Sequence, residues 1–558
     1  MKKQSYFTIL FFVFCAIILA LSLRGIAGNP SAETINNPEW KESGPLELSP
    51  DRGRFALMYS LVEDQSFQFS LPLARFTTPD VGYVNGKYVS LFNPGVSFFI
   101  IPGYIIGKYF GAGQVGAFAI IAIFALLNIA LIRAIAIRLG ASPLAGNLGA
   151  LAFAFATPAF AYAASLYQHH ISTFLLLLAI YAVIRFNNLW SVSLVWFLSA
   201  LALVVDNPNI FFMLPVALYA LGKIISLSQD LSQEQGEIKI NIKMAGIITF
   251  LAIIFPALFF MWFNKESYGS AFQLPGTIKS VQEIDELGNP TQSTLFQNTD
   301  DKNSHDLNDM VPQSEDSQTS DHKKKKTAVG FFKTRNLFNG FYIHLISPDR
   351  GILRFSPVIL LGIFGIFYLY KRNYKIANLL VAAIGANLLL YSMWGDPWGG
   401  WAFGSRYLIP TYAMLGIGVA FAITRFKKNY LFIAFFILTM GYSVWINSLG
   451  AITSNTNPPQ LEVLALEKLS GHEEKYTYMR NWEELKKGRS KSFVFQAKAK
   501  YFVSAENYHK FIYISVIFFT LLMILPFSLG ENLRRFNEAS IAFIKKNMEE
   551  IKNMRGKI

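Results

Sequence analysis

The sequence predicts an all-α polytopic membrane protein, a bundle of about a dozen transmembrane helices whose extracytoplasmic loops contain juxtamembrane helices. Three observations carry that reading. Apolar runs of membrane-crossing length recur along most of the chain. Lys and Arg gather just after those runs, at Lys371, Arg372 and Lys375, at Arg425, Lys427 and Lys428, and from Arg534 to Lys557. A mean hydropathy of +0.34 is higher than a solvated globular surface normally allows.

A hydrocarbon core of roughly 30 Å needs about 20 apolar residues in helical form. Such runs lie near 6–23, 113–137, 145–166, 170–186, 189–206, 208–228 and 243–264, then near 352–370, 376–394, 408–424, 430–450 and 510–529. Lipid offers the backbone no hydrogen-bond partner, and runs this continuous do not alternate as barrel strands do, so each is expected to be helical. The run at 96–110 is short and contains Pro102 and Gly103; it reads as a juxtamembrane or re-entrant helix. The N-terminus, with Lys2 and Lys3 before an apolar core and small residues near Ala27, also resembles a signal peptide, though an uncleaved anchor suits a multispan chain better.

The positive charges of the short loops fall on one side, which puts both termini in the cytoplasm of a multi-pass plasma-membrane protein. The chain then divides into an N-terminal half, 1–264, with a first extracytoplasmic loop at 24–112 (loop one); a second loop at 265–351; C-terminal spans at 352–450; a last loop at 451–509; and a final span with a basic tail at 510–558. The polar stretch 292–326 cannot form a core and reads as a solvated insertion. A net charge of +14 is topogenic here, so no nucleic-acid partner is expected. The single Cys15 lies in the first apolar run, which removes an intrachain disulfide and a cysteine metal cluster.

Candidate chemistry concentrates in the loops. Asp51 precedes an amphipathic segment running through Leu57, Leu61 and Val62 to Glu63 and Asp64; from the residues alone, capping that helix explains it as well as catalysis does. Asp80 follows Pro79 near an Asn85-Gly86 turn and Lys87, where turn formation is the plain role. His169 and His170 open a span after Tyr167, an expensive place for an ionisable pair, where interfacial capping explains them as well as a functional role does. Arg406 and Tyr407 close a Trp- and Gly-rich loop, where an interfacial anchor is the simple alternative. Asp206, before Asn207-Pro208, and Asp396, between Trp394 and Trp398, read as turn residues, though the closeness of Asp396 to Arg406 permits an ion pair.

Four segments carry a resemblance. Asp51-Arg52-Gly53-Arg54-Phe55-Ala56 resembles the Asp-Glu-x-Arg-Tyr-Ala pattern of loop one in GT-C glycosyltransferases, the superfamily of protein O-mannosyltransferases and lipid A aminoarabinose transferases. Thr78-Pro79-Asp80 with Asn85 to Ser90 and Pro94-Gly95, Ser347 to Gly351 with Ser356-Pro357, and Trp398 to Pro410 are similar to further superfamily segments, in the same order. The chain departs at Arg52, where relatives carry a second acid, at Phe55 for Tyr, and at Leu91-Phe92, where they often carry Asp-Lys.

The resemblance implies a GT-C-like bundle and an inverting transfer of sugar from a polyprenyl-phosphate donor to a hydroxyl of a protein, lipid or glycan acceptor outside the cytoplasm. It makes Asp51, or its rival Asp80, the base, and Arg406 with Arg54 or Lys87 the phosphate contacts; His169, His170 and Tyr407 are the expected substrate contacts. No cofactor is called for, and a divalent cation held by outer-face carboxylates is the minority reading. The competing classes are a transporter or flippase for a lipid-linked or anionic substrate, which would bury its ionisable residues at mid-membrane, and a noncatalytic membrane scaffold.

Overall fold

The computed structural model describes residues 2–230, 237–291, 332–471 and 473–555, so the insertion expected at 292–326 lies outside the described residues. Among these, six helices are long and apolar enough to cross a membrane: Gly113–Arg138, Met244–Tyr268, Tyr374–Ser392, Arg406–Phe426, Tyr430–Ile452 and Ala505–Leu525. Shorter apolar helices at Tyr6–Ser22, Pro143–Phe155, His169–Arg185, Leu189–Val205 and Asn209–Leu221 match five more of the predicted runs. The protein is a helical polytopic membrane protein.

Two runs end or break where proline intervenes. The run at 145–166 stops as a helix at Phe155, because the residue before Pro158 is pushed out of helical geometry; a short helix, Ala159–Tyr162, follows. The run at 352–370 splits into Ile352–Phe355, a 3₁₀ turn Pro357–Leu360 and the helix Leu361–Arg372, for Ser356 before Pro357 adopts φ −149°, ψ 50°. The run at 208–228 ends as a helix at Leu221 and gives way to a strand, Ile225–Asp230, paired antiparallel with Glu237–Ile242.

The helix Ile409–Phe426 forms the axis of the bundle and is buried along nearly its whole length. It approaches Leu361–Arg372 so closely that a Cβ on Gly365 would run into the Gly418 carbonyl, the small-residue contact by which helices pack in lipid. The helix Gly95–Tyr109 turns back on Gly113–Arg138 at glycines in the same way, Gly103 and Gly107 meeting Gly116. Its 15 residues reach only about 22 Å, less than a bilayer core.

Loop one is folded. After the first helix, Lys2–Ser22, come Ala32–Asn36, Pro38–Ser43, Ser49–Val62 and Leu71–Thr77, then a hairpin of Val81–Val84 with Lys87–Ser90. Asn85 and Gly86, at φ 52° and 77°, make the tight turn their sequence predicts. Ser280–Val281 of the second loop adds a third strand. The helix Ser49–Val62 is not amphipathic as expected: Asp51 through Ser60 are all buried, because Trp40, Phe76 and Tyr104 close over the side that would have faced water. The last loop folds back onto this layer. Glu47 receives Arg24 at 2.7 Å, Lys491 at 2.9 Å and the Asn455 N–H at 2.8 Å, tying the end of the first helix, loop one and the last loop together.

Candidate functional site

A cavity of about 540 Å³ opens at the end of the bundle that carries loop one. Its wall comes from the first turn of Ser49–Val62, the segment Leu91–Asn93, the entry to His169–Arg185, the hairpin at 203–211 and the turn into Ile409–Phe426, with 274–277, Phe332, Tyr391 and Trp394 completing it. Much of the wall is apolar, through Phe92, Leu203, Ile210, Phe211 and Phe332, and into that wall project Arg54, Arg406 and Asp206.

Arg54 is held on several sides. It donates to Gln168 Oε1 at 2.7 Å and to the Leu166 carbonyl at 3.3 Å, and its guanidinium lies over Phe92, 4.9 Å from the ring centre. Gln168 in turn donates to Asp206 at 2.8 Å, so an arginine, an amide and a carboxylate run in line along the wall. Burial pushes the Asp206 carboxyl up from its usual range, against the pull of Arg54. Arg406 is different. Its guanidinium stacks on Tyr167, 4.4 Å from the ring centre, and leans on Tyr407 at 5.5 Å, while its buried Nε and Nη1 have no hydrogen-bond partner. Tyr407 lies parallel to Tyr391 at 4.2 Å, and His169 lies parallel to Tyr167 at 5.8 Å with its buried Nε2 also unpartnered. The cavity thus presents a largely apolar trough, two guanidinium groups, the Asp206 carboxyl already engaged by Gln168, and an aromatic stack. Such a surface takes a long apolar ligand with an anionic head.

The residues singled out from sequence separate into two groups. Arg54, Arg406, His169 and Tyr407 line the cavity. His170 does not; it is buried behind the wall, with Nε2 2.7 Å from the Ala159 carbonyl and Asn128 donating to its own carbonyl at 2.9 Å. Lys87 is exposed on the hairpin, away from the cavity, which leaves Arg54 as the cation beside Phe92. Asp51 is not a helix cap: Leu48 occupies that position, and Asp51 Oδ1 accepts the Leu166 N–H at 2.8 Å from a distant segment. Burial, opposed by Arg24 and Arg54 and reinforced by Glu47, pushes its carboxyl up to about 6. Asp51 lies behind the cavity wall, between Pro50 and Arg54, which form part of that wall. Asp80 accepts a short hydrogen bond from the Ser49 hydroxyl at the start of the same helix.

Two further motifs turn out to be scaffolding. Arg350 donates to the carbonyls of Trp398, Gly400 and Asn457 at 3.1, 3.0 and 2.8 Å, which staples the Trp-Gly loop before Arg406 to the last loop. Asp396 accepts the N–H groups of Trp398 and Gly400, holding its own turn rather than pairing with Arg406. Gln168 and Asp206 were not legible as site residues. The dipeptides around them are ordinary turn chemistry, and only the meeting of two distant helix ends joins them to Arg54. Among the described residues no group of three or more His, Cys, Asp or Glu is placed to hold a metal ion.

Fold and cavity together define a class: a polytopic helical membrane protein with a cationic, apolar-walled cavity at one end of its bundle. No protein-family model and no curated protein matches the chain. Solved structures similar to it include those of ArnT from Cupriavidus metallidurans in the apo state and bound to undecaprenyl phosphate. They are 13% and 12% identical, with TM-scores of 0.45 and 0.46, each match covering 94% of this chain and 76% of the other.

Proposed function

We propose that this protein is an inverting GT-C-type glycosyltransferase that moves a sugar from a polyprenyl-phosphate donor to an acceptor hydroxyl on the extracytoplasmic face. The observation that carries the reading is Arg406, a buried guanidinium whose Nε and Nη1 have no hydrogen-bond partner, opening with Arg54 on a largely apolar trough. Leaving N–H groups of a desolvated guanidinium unbonded is costly, and an anionic head group supplies the acceptors that Nε and Nη1 lack.

In the reaction, the acceptor oxygen attacks the anomeric carbon from the side opposite the phosphate. The carbon–oxygen bond to phosphate breaks, and the electron pair leaves with the lipid phosphate. Arg406 and Arg54 stabilise that developing charge, the planar fork of each matching two phosphate oxygens. The acceptor proton goes to a carboxylate. We assign that role to Asp51, whose raised pKa of about 6 keeps it ionised but basic near neutrality. The Gln168–Asp206 pair holds Arg54 in place. A second assignment of the base, to Asp206, is favoured by its position on the cavity wall itself.

Membranes containing the protein are incubated with a panel of radiolabelled polyprenyl-phosphate sugars. Transfer of label to an acceptor, lost in Asp51→Asn while lipid binding persists, supports the assignment. Transfer that survives Asp51→Asn but not Asp206→Asn moves the base to Asp206. No transfer from any donor returns the protein to the transporter or scaffold classes.

A further inference from the structure

A second hollow, of about 620 Å³, lies beside the first and has the opposite chemistry. It is formed between the start of loop one, at Glu42 and Glu47, and the last loop, at Thr453–Asn457 and 480–496. Every residue on its wall is polar. Three carboxylates, Glu42, Glu47 and Glu484, face three cations, Arg480, Arg489 and Lys491, so the formal charge of the wall is zero. Glu47 is ionised: burial alone would raise it, but Arg24 and Lys491 more than offset that and hold it down at about 2. At the floor, Asn457 is fully buried; its Nδ2 donates to Asn481 Oδ1 at 2.8 Å, and its Oδ1 has no partner.

The cations of this wall are already paired, Lys491 with Glu47, Arg489 with Glu484 and Arg480 with Glu474, so it offers an anion no free counter-charge, and an apolar chain would leave its polar groups unsatisfied. It suits a ligand with no charge and several adjacent hydroxyls, each able both to donate and to accept. Its position gives that ligand a role. Glu47 belongs to this groove and Pro50 to the donor cavity, no more than about 11 Å apart along the backbone, and Asp51, the residue after Pro50, is buried close enough to Glu47 to feel its charge.

We propose that this groove is the acceptor site and that it takes a neutral carbohydrate, presenting one of its hydroxyls toward Asp51. The assignment rests on the glycosyltransferase reading above and adds the acceptor class to it. The donor head group enters from the apolar side of the first turn of Ser49–Val62 and the acceptor sugar from the polar side.

The test uses the full chain in nanodiscs with Thr456→Cys, on the half-buried rim of the groove; the native Cys15 is buried in the first helix and does not compete. Labelling by a membrane-impermeant maleimide is timed with methyl glycosides of glucose, mannose, galactose and N-acetylglucosamine. At about four times its dissociation constant, a glycoside that occupies the groove slows labelling about fivefold by simple occupancy. Asn457→Leu, or Ser454→Trp at the rim where the first variant does not fold, abolishes that protection. Undecaprenyl phosphate without sugar gives no protection, and its own binding is followed separately with the radiolabelled lipid. Labelling unaffected by every glycoside overturns the proposal, and if undecaprenyl phosphate still binds, the donor reading survives that failure. Protection by sugar-loaded lipid alone also overturns it, making the groove a donor sugar pocket. Glycoside protection without lipid binding upholds the groove and removes the donor reading.

Discussion

Replacing Arg406 by Gln removes the guanidinium from the donor cavity while breaking no hydrogen bond at its Nε and Nη1, which have none. What the fold loses is the stacking on Tyr167 and Tyr407, which two lipids with the same chain would feel alike, so the phosphate-specific effect should fall on ligand binding. Each of the two free donors can form a charge-assisted hydrogen bond to phosphate, worth about 1.5–3 kcal/mol. Part of that gain is already spent on burying the cation, so the lower end of the sum applies, about 3 kcal/mol, or about 150-fold in affinity. The assay is equilibrium binding of undecaprenyl phosphate to the protein in nanodiscs, run beside undecaprenol, which has the same chain without the phosphate. Arg406→Gln should weaken the phosphate lipid about 150-fold and leave the alcohol unchanged. Arg406→Lys should fall between, because an ammonium keeps the charge but loses the planar fork and the stacking on Tyr167. Equal weakening of both lipids, or no weakening of either, would refute the phosphate role.

Asp51→Asn should lower transfer by about 10²–10⁴-fold with donor binding retained, and wild-type activity should fall as pH drops through about 6, where the carboxylate takes up a proton. The stability effect has its own sign: a carboxyl raised by burial costs the fold nothing below its unfolded pKa and progressively more as pH rises to about 6, so Asp51→Asn should raise the unfolding temperature at pH 8 and not at pH 4. Lys87→Ala, on the exposed hairpin, should change donor affinity by less than about fivefold, measured in the same binding assay. Gly365→Ala should destabilise the bundle by about 1–3 kcal/mol, seen as a lower unfolding midpoint in detergent, because its Cβ would meet the Gly418 carbonyl.

The helical membrane architecture was determined by the sequence alone. Apolar runs of sufficient length specify helices wherever the backbone has no solvent to bond, and eleven of the predicted runs reappear as apolar helices, with the twelfth broken at Ser356-Pro357. The Asn85-Gly86 turn was equally legible, since its dihedral requirement is local. Arg406, His169 and Tyr407 were found as candidates because ionisable and aromatic groups at the ends of apolar helices are conspicuous, and Arg54 through the resemblance of the segment Asp51–Ala56. What tertiary structure decided is which of these face one another. It took Lys87 and His170 away from the cavity, set Asp51 behind its wall on the Leu166 N–H, and brought Gln168 and Asp206 from two separate helix ends to Arg54. It also created the polar groove, whose walls lie more than 400 residues apart in the chain, from Glu42 to Lys491. Hydropathy and turn chemistry act over a few residues, so a sequence displays them directly. A cavity is a property of surfaces that meet only when the helices pack, and the charge balance and unpartnered atoms on its wall exist only after that packing.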